Sequence, residues 1–211
     1  LIDDHAGLLD GKDSKTVHSR RGFGEQRMIA HPNISNRYTP RVVAFVDIRG
    51  FGDLVKRADT QPPLQAAIVD ALRRVRSVGA PPGGDTDLRT QNFSDSLILS
   101  AANSPNGLWH LALTVDALAW NLLDLGLLMR GAITIGGLHH DDEIVFGLAV
   151  NEAYQLESAV ARYPRIVFSR TALSAAKQWA LIDEVWDTYR TSRLRRGADG
   201  VWHLNILTEL G

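Results

Sequence analysis

Five apolar residues in a row, Val42-Val43-Ala44-Phe45-Val46, run straight into Asp47. An unbroken apolar run of that length, rich in β-branched side chains, suits a strand buried on both faces rather than one with a wet side. Asp47 ends a strand that is otherwise wholly apolar, so it must either emerge at the rim of a sheet or cap the helix that follows. The segment Ile48-Arg49-Gly50-Phe51 then turns the chain.

The remaining pattern constrains how that strand is covered. A helix is predicted from Phe51 to about Ala58, and Pro62-Pro63 opens a second running to about Val78. Residues 80–87 read as an exposed loop, with Leu88–Phe93 and Leu97–Ala102 as short strands joined by the tight turn Ser94-Asp95. Pro105–Gly126 is a long helix, and Met129–Ile135 a second apolar strand whose return is Glu143–Gly147, past a polar tip at residues 139–142. Then come a helix from Leu148 to about Arg162, a strand at Arg165–Phe168, a helix at Thr171–Ala180, and a final strand at Val201–Leu207. Strands and helices alternate, but the strands also pair as hairpins. That predicts an α+β sandwich, a mixed and mostly antiparallel sheet with flanking helices, rather than a doubly wound fold. Residues 1–40 are polar and irregular and read as an N-terminal arm; residues 41–211 read as one domain.

Composition excludes several classes of function. The net charge of −1 leaves no broad basic face for nucleic acid or for a membrane surface. With no cysteine in the chain, disulfides, thiolate zinc sites and cysteine nucleophiles are excluded together, which fits a cytoplasmic location. The longest apolar region, Leu108–Met129, is broken by His110, Asp116, Asn121 and Asp124, so nothing approaches the roughly 20 apolar residues of a membrane span.

Two carboxylates carry the chemical argument. If the hairpin around Asp95 lies beside the first strand, Asp47 and Asp95 emerge at the same end of one sheet. Paired hard-oxygen ligands of this kind hold Mg²⁺ or Mn²⁺ against a triphosphate, the arrangement used for in-line phosphoryl displacement. Each has a plainer reading, Asp47 as a helix N-cap and Asp95 as an ordinary turn residue. Gly83-Gly84-Asp85, the polar tip His139-His140-Asp141-Asp142, and the scattered Trp109, Trp120, Trp179, Trp186 and Trp202 read as loop, solvated turn and core or dimer contacts.

The segment Phe45-Val46-Asp47-Ile48-Arg49-Gly50-Phe51 resembles the first metal motif of class III adenylyl and guanylyl cyclases. Phe93-Ser94-Asp95-Ser96 is similar to their second, a turn usually written Gly-Asp. The spacing between the two carboxylates, 95 − 47 = 48 residues, suits the two helices that family places between them. Arg130-Gly131-Ala132-Ile133-Thr134-Ile135-Gly136-Gly137 resembles the family's strand and glycine turn. The stretch from Gly147 through Asn151 and Gln155 to Glu157 is similar to its Gly-x-x-Val-Asn-x-Ala-x-Arg-Leu-Glu helix. The four matches stand in family order across about residues 41–160. The resemblance implies a class III cyclase-like sandwich working as a head-to-tail homodimer with shared active sites on a nucleoside triphosphate. It implies two divalent cations, Mn²⁺ or Mg²⁺, held by Asp47, Asp95 and the backbone carbonyl of Ile48. It further implies that Asn151 positions the ribose across the dimer and that Arg195 or Arg196 steadies the triphosphate.

The departures are as informative. Where adenylyl cyclases read the base with Lys and Asp, this chain has Gln91 and Ile144, and the guanylyl pair is absent too. A buried purine edge left without partners is strongly disfavoured. A base pocket rewritten in this way resembles the pyrimidine cyclases of Pycsar antiphage systems. That implies conversion of UTP to 3′,5′-cyclic UMP, or of CTP to cyclic CMP, and a separate effector activated by the product. Phe51 is a candidate to pack on the ring or ribose. The family's transition-state Arg is Gln155 here, and Arg130, Arg49 or Arg162 are candidates to supply that charge. The rival readings are a cyclase-like nucleotide sensor without turnover and a palm-type nucleic-acid module.

Overall fold

The first strand, β1 (Thr39–Arg49), lies at the centre of the sheet, and its sequence accounts for the position. Val42, Ala44, Val46 and Ile48 point to one face, while Val43 and Phe45 point to the other, and both faces are covered. β1 is hydrogen-bonded on one side to β3 (Ser96–Ala102) and on the other to β4 (Leu128–His140), antiparallel in both cases. The computed structural model describes residues 38–77, 86–179 and 193–206, all within one compact unit, Ser35–Gly211. The expectations for residues 1–37, for Gly83-Gly84-Asp85, for Ala180 and Trp186 and for Leu207 fall outside the described residues.

The remaining strands are β2 (Arg89–Phe93), β5 (Val145–Phe146), β6 (Ile166–Phe168), β7 (Leu194–Arg196) and β8 (Trp202–Leu204). The sheet order is β2-β3-β1-β4-β6-β8-β7, with β5 paired to the far end of β4. Every pairing is antiparallel except β4 with β6, so the sheet is mixed and mostly antiparallel. Helices α1 (Phe51–Ala58), α2 (Pro62–Ser77), α3 (Pro105–Leu123) and α5 (Arg170–Gln178) supply the larger core on one face. Helix α4 (Leu148–Ala159) covers the other, with Ala149 and Val150 against Val43 and Ile98. This is the expected α+β sandwich.

Local chemistry sets the element ends. Ser104 and Ser169 accept the backbone N–H groups of Gly107 and Ala172 at 3.0 Å and so start α3 and α5. Two glycines are needed by conformation. Gly50, at φ 81°, swings the chain from β1 into α1. Gly147, at φ 154°, starts α4 so close to β4 that a Cβ there would lie 2.5 Å from the Gly137 carbonyl oxygen.

Three expectations need correction. β4 does not stop near Ile135 but continues to His140, because Thr39, Pro40 and Arg41 lengthen β1 and pair with Leu138, Gly137 and Gly136. The 80–87 loop is not exposed at its end: Thr86 is 1% exposed, and its carbonyl accepts the Ala102 N–H at 2.8 Å. Leu194–Arg196 is an edge strand where no strand was expected, formed because Leu194 and Leu204 pair across the hairpin and are both buried.

Candidate active site

Asp47 and Asp95 meet at one end of the sheet. Asp47 is in register with Ser96 on β3 and with Arg130 on β4. One residue further, the Ile48 N–H donates to the Asp95 carbonyl at 2.8 Å, fastening the β2–β3 turn to the end of β1. Ser94 in that turn takes φ 53°, a region that costs a residue with a Cβ and that glycine enters freely. That requirement explains why Gly is the usual residue at the matching position. The Asp95 side chain is exposed, and the Asp47 carboxylate is 20% exposed.

Asp47 shares its nearest cation with a second carboxylate. Arg130 Nε donates to Asp47 Oδ2 at 3.2 Å, and Arg49, half exposed, stands at 3.8 Å from the same oxygen. Arg130 also touches Glu157 of α4, whose side chain is only 3% exposed. Asp47 and Glu157 therefore share Arg130, with Arg49 farther off, while Asp95 stands on the turn fastened to Ile48. Among the described residues no group of three or more His, Cys, Asp or Glu gathers as a self-contained metal cage. Mg²⁺ and Mn²⁺ do not require one, since one or two carboxylates complete their shell with water and substrate phosphate oxygens. Asp47 and Asp95, hard-oxygen groups at the same rim, fit such cations.

The other predicted site residues are placed as follows. Ile48 turns its side chain into the core, 2% exposed. Phe51 is 8% exposed and packed in the same core, which leaves little of its ring for a base or ribose. Gln91 and Ile144 are brought together: Gln91 Nε2 donates to the Glu143 carbonyl at 3.2 Å, while its Oε1 is buried without a partner. Ile144 is 52% exposed, and its N–H is held by Asp141 Oδ1. Asn151 is exposed, six residues or ~9 Å along α4 from Glu157 and turned to a different side of the helix. Gln155 and Arg162 are also exposed. Arg195 and Arg196 lie on β7, four strands or ~19 Å from β1. Within one chain, neither Asn151 nor the β7 arginines are gathered at Asp47.

Two groups escaped the sequence reading. Glu157 stands inside the quoted helix motif, but nothing in its position announced that its carboxylate is buried against Arg130. At the other end of β1, Arg41 Nε donates to Ser100 Oγ at 2.9 Å, and Ser100 Oγ pairs with His140 Nδ1 at 2.7 Å. Arg41 and Arg89 both hold Asp87, and Arg89 also donates to the His140 carbonyl. Burial, with the charges of Arg41 and Arg89 beside it, lowers the His140 pKa to about 4, so the imidazole is neutral at pH 7. Burial pushes the Asp87 carboxyl up, but the hydrogen bonds from Arg89 and Arg41 outweigh it and hold it below its usual value. The polar tip of the β4–β5 hairpin is an Asx turn, with Asp141 taking the N–H groups of Glu143 and Ile144, which lower its pKa to about 2.

No protein-family model matches the chain, and no curated protein matches it in sequence. Solved structures do resemble it. One is the monomeric guanylyl cyclase domain of the RhoGC fusion protein from the aquatic fungus Blastocladiella emersonii. It matches with a TM-score of 0.55 at 12% identity, over 80% of this chain and 95% of that one. Others are the catalytic core of a rhodopsin-guanylyl cyclase with converted specificity in complex with ATPαS (TM-score 0.49, 14% identity, 66% and 82% coverage) and an adenylate/guanylate cyclase/hydrolase from Silicibacter pomeroyi (0.48, 15%, 79% and 96%). Identities this low speak to architecture alone. The chain has the class III cyclase fold.

Proposed function

We propose that this chain is a nucleotidyl cyclase acting on a pyrimidine nucleoside triphosphate. The observation that carries the reading is the meeting of Asp47 and Asp95 at one rim of a cyclase-fold sheet, where Asp47 shares its nearest cation, Arg130, with Glu157. Two divalent cations, Mn²⁺ or Mg²⁺, would neutralise the triphosphate and acidify the ribose 3′-hydroxyl for in-line attack on the α-phosphorus, with pyrophosphate leaving. Asp47, Asp95 and the Ile48 carbonyl are the groups that would hold them. The chain's own part is orientation and charge, with no covalent intermediate.

Within one chain Arg196 lies four strands from β1 and Asn151 is turned to a different side of α4 from Glu157, which supports a homodimer whose partner completes each site. Exposed Phe146, Leu148 and Tyr154, with Tyr38 6.3 Å from Phe146, form an apolar surface on the α4 side suited to such a partner. Gln91 and Ile144, which the resemblance sets at the base-reading positions, both have uncharged side chains, which supports a pyrimidine, UTP or CTP, over a purine. Cyclic UMP or cyclic CMP would then serve as a cytoplasmic second messenger for an effector in antiphage defence.

Incubating the purified protein with all four triphosphates and Mn²⁺, then quantifying products by mass spectrometry, tests this. Cyclic UMP or cyclic CMP should form at least about tenfold faster than cyclic AMP or cyclic GMP. Dominance of a purine product would sink the pyrimidine reading. Absence of any cyclic product, with nucleotide still bound, would favour the sensor reading, for which the uncharged Gln155 speaks. Shared sites are tested by mixing Asp47→Ala with Asn151→Ala protein: two nearly inactive parents should regain activity in the mixed dimer.

A further inference from the structure

Arg130 has a single hydrogen on Nε, and that hydrogen points at Asp47 Oδ2, 3.2 Å away. Glu157 Oε1 lies against the same nitrogen but receives no hydrogen bond from it. Its other oxygen, Oε2, accepts from the neighbouring Ser158 hydroxyl, at 2.9 Å. A carboxylate 3% exposed thus has a cation beside it but no donor on one of its oxygens, an arrangement that is costly in a low-dielectric setting. Asp47, by contrast, is 20% exposed and already has a second cation, Arg49, at 3.8 Å. One guanidinium is shared between a carboxylate that can be satisfied from outside and one that cannot.

We propose that Glu157 is a positioning residue that draws Arg130 off Asp47, so that Arg130 acts as an exchangeable counter-ion guarding the Asp47 carboxylate until a divalent cation replaces it. The inference rests on Asp47 being a cation ligand, as the proposed function has it. A cation arriving at Asp47 repels the guanidinium, and Glu157 offers it an unfilled acceptor within contact distance. No covalent step is involved, and the total charge of the Arg130–Glu157 pair stays zero.

The signs of the mutational effects separate this from a merely structural ion pair. Mn²⁺ binding to the full chain without nucleotide is read by titration calorimetry, alongside the thermal midpoint. Glu157→Gln leaves Arg130 wholly to Asp47 and should weaken Mn²⁺ binding about tenfold, the scale of one charge-assisted hydrogen bond. Arg130→Gln removes the competing cation and should tighten binding by a similar factor. Since that variant strands a buried carboxylate, Arg130→Gln/Glu157→Gln serves as the folded check, and it should bind Mn²⁺ as tightly as Arg130→Gln is expected to. Weakening in all three variants, or no change in any, overturns the proposal. Asp47→Ala separates the two claims. If it binds Mn²⁺ like the unaltered chain, the ligand assignment itself fails; if it loses Mn²⁺ while the Glu157 and Arg130 variants are unshifted, only the counter-ion role fails.

Discussion

Arg41 and Asp47 stand six residues apart on the same face of β1, ~20 Å from end to end, and their surroundings are opposites. Around Arg41 the side chains hold one another in place: Ser100, Asp87, Arg89 and a neutral His140 form a connected set, with Arg41 itself 7% exposed, though His140 Nε2 is buried without a partner. Around Asp47 they do not. A half-exposed Arg49 is 3.8 Å away, Arg130 is divided between two carboxylates, and Asp95 sits exposed on a strained turn. A connected, buried polar network fixes geometry, whereas a loosely tied group at a rim is the kind of place a ligand can finish. The same strand thus anchors the hairpin over the sheet at one end and presents reactive groups at the other.

Exchanging the two ends by mutation should separate their roles. Asp47→Ala should cut cyclic-nucleotide formation by about a thousandfold or more while leaving the thermal midpoint nearly unchanged, because it removes a site group and no core contact. A variant that keeps its turnover would erase the distinction. Arg41→Met should do the reverse. It should cost about 2 kcal/mol of stability in denaturant unfolding, the scale of lost hydrogen bonds to a charged group. Whatever stays folded should keep its metal affinity.

The pH response sharpens the contrast further. In the unfolded chain His140 takes up its proton below about 6.5, but in the folded protein only near pH 4. Between those values the unfolded state holds more protons, so stability falls as the pH falls through that window. His140→Asn offers a neutral group where Nδ1 meets Ser100 and should flatten the slope of the thermal midpoint between pH 6.5 and 4.5. An unchanged slope would mean that the loss comes from elsewhere. The smallest effect is expected for Arg49→Ala, within about 0.5 kcal/mol in stability, since that guanidinium is 53% exposed.

The legibility of these two ends in the sequence was unequal for a physical reason. Val42–Val46, the Ser94-Asp95 turn and α3 are local patterns, and the ends read for the strand and the helix lie within three residues of those of β1 and α3. With the hairpin set beside the first strand, a condition that the β1–β3 pairing meets, Asp47 and Asp95 were expected to share a rim. The Arg41 network was invisible because its members come from four separate stretches of chain, and a histidine between two glycines and two aspartates reads as a wet turn. β4 was cut short for the same reason: Gly136 and Gly137 look like a break until Pro40 and Arg41 are known to pair with them. The burial of Glu157 depends on the angle at which α4 crosses β4, which no single segment encodes. Phe51, a candidate to pack on the ring or ribose, shows how an aromatic beside a motif can also be held by the core.

The place of β1 between β3 and β4 also bears on how the chain reaches this state. Asp47 meets Ser96 49 residues later and Arg130 83 residues later, so both neighbours of the most apolar strand are distant in sequence. Closing such long loops is slow compared with forming the local β2–β3 hairpin. Until β4 has arrived, Val42–Val46 presents an uncharged, strongly β-forming edge, the kind of segment that pairs with copies of itself. Refolding yield should therefore fall steeply as protein concentration rises. A fragment ending before Leu128 should aggregate, whereas chains reaching past Glu157 can hide that edge inside the finished sheet.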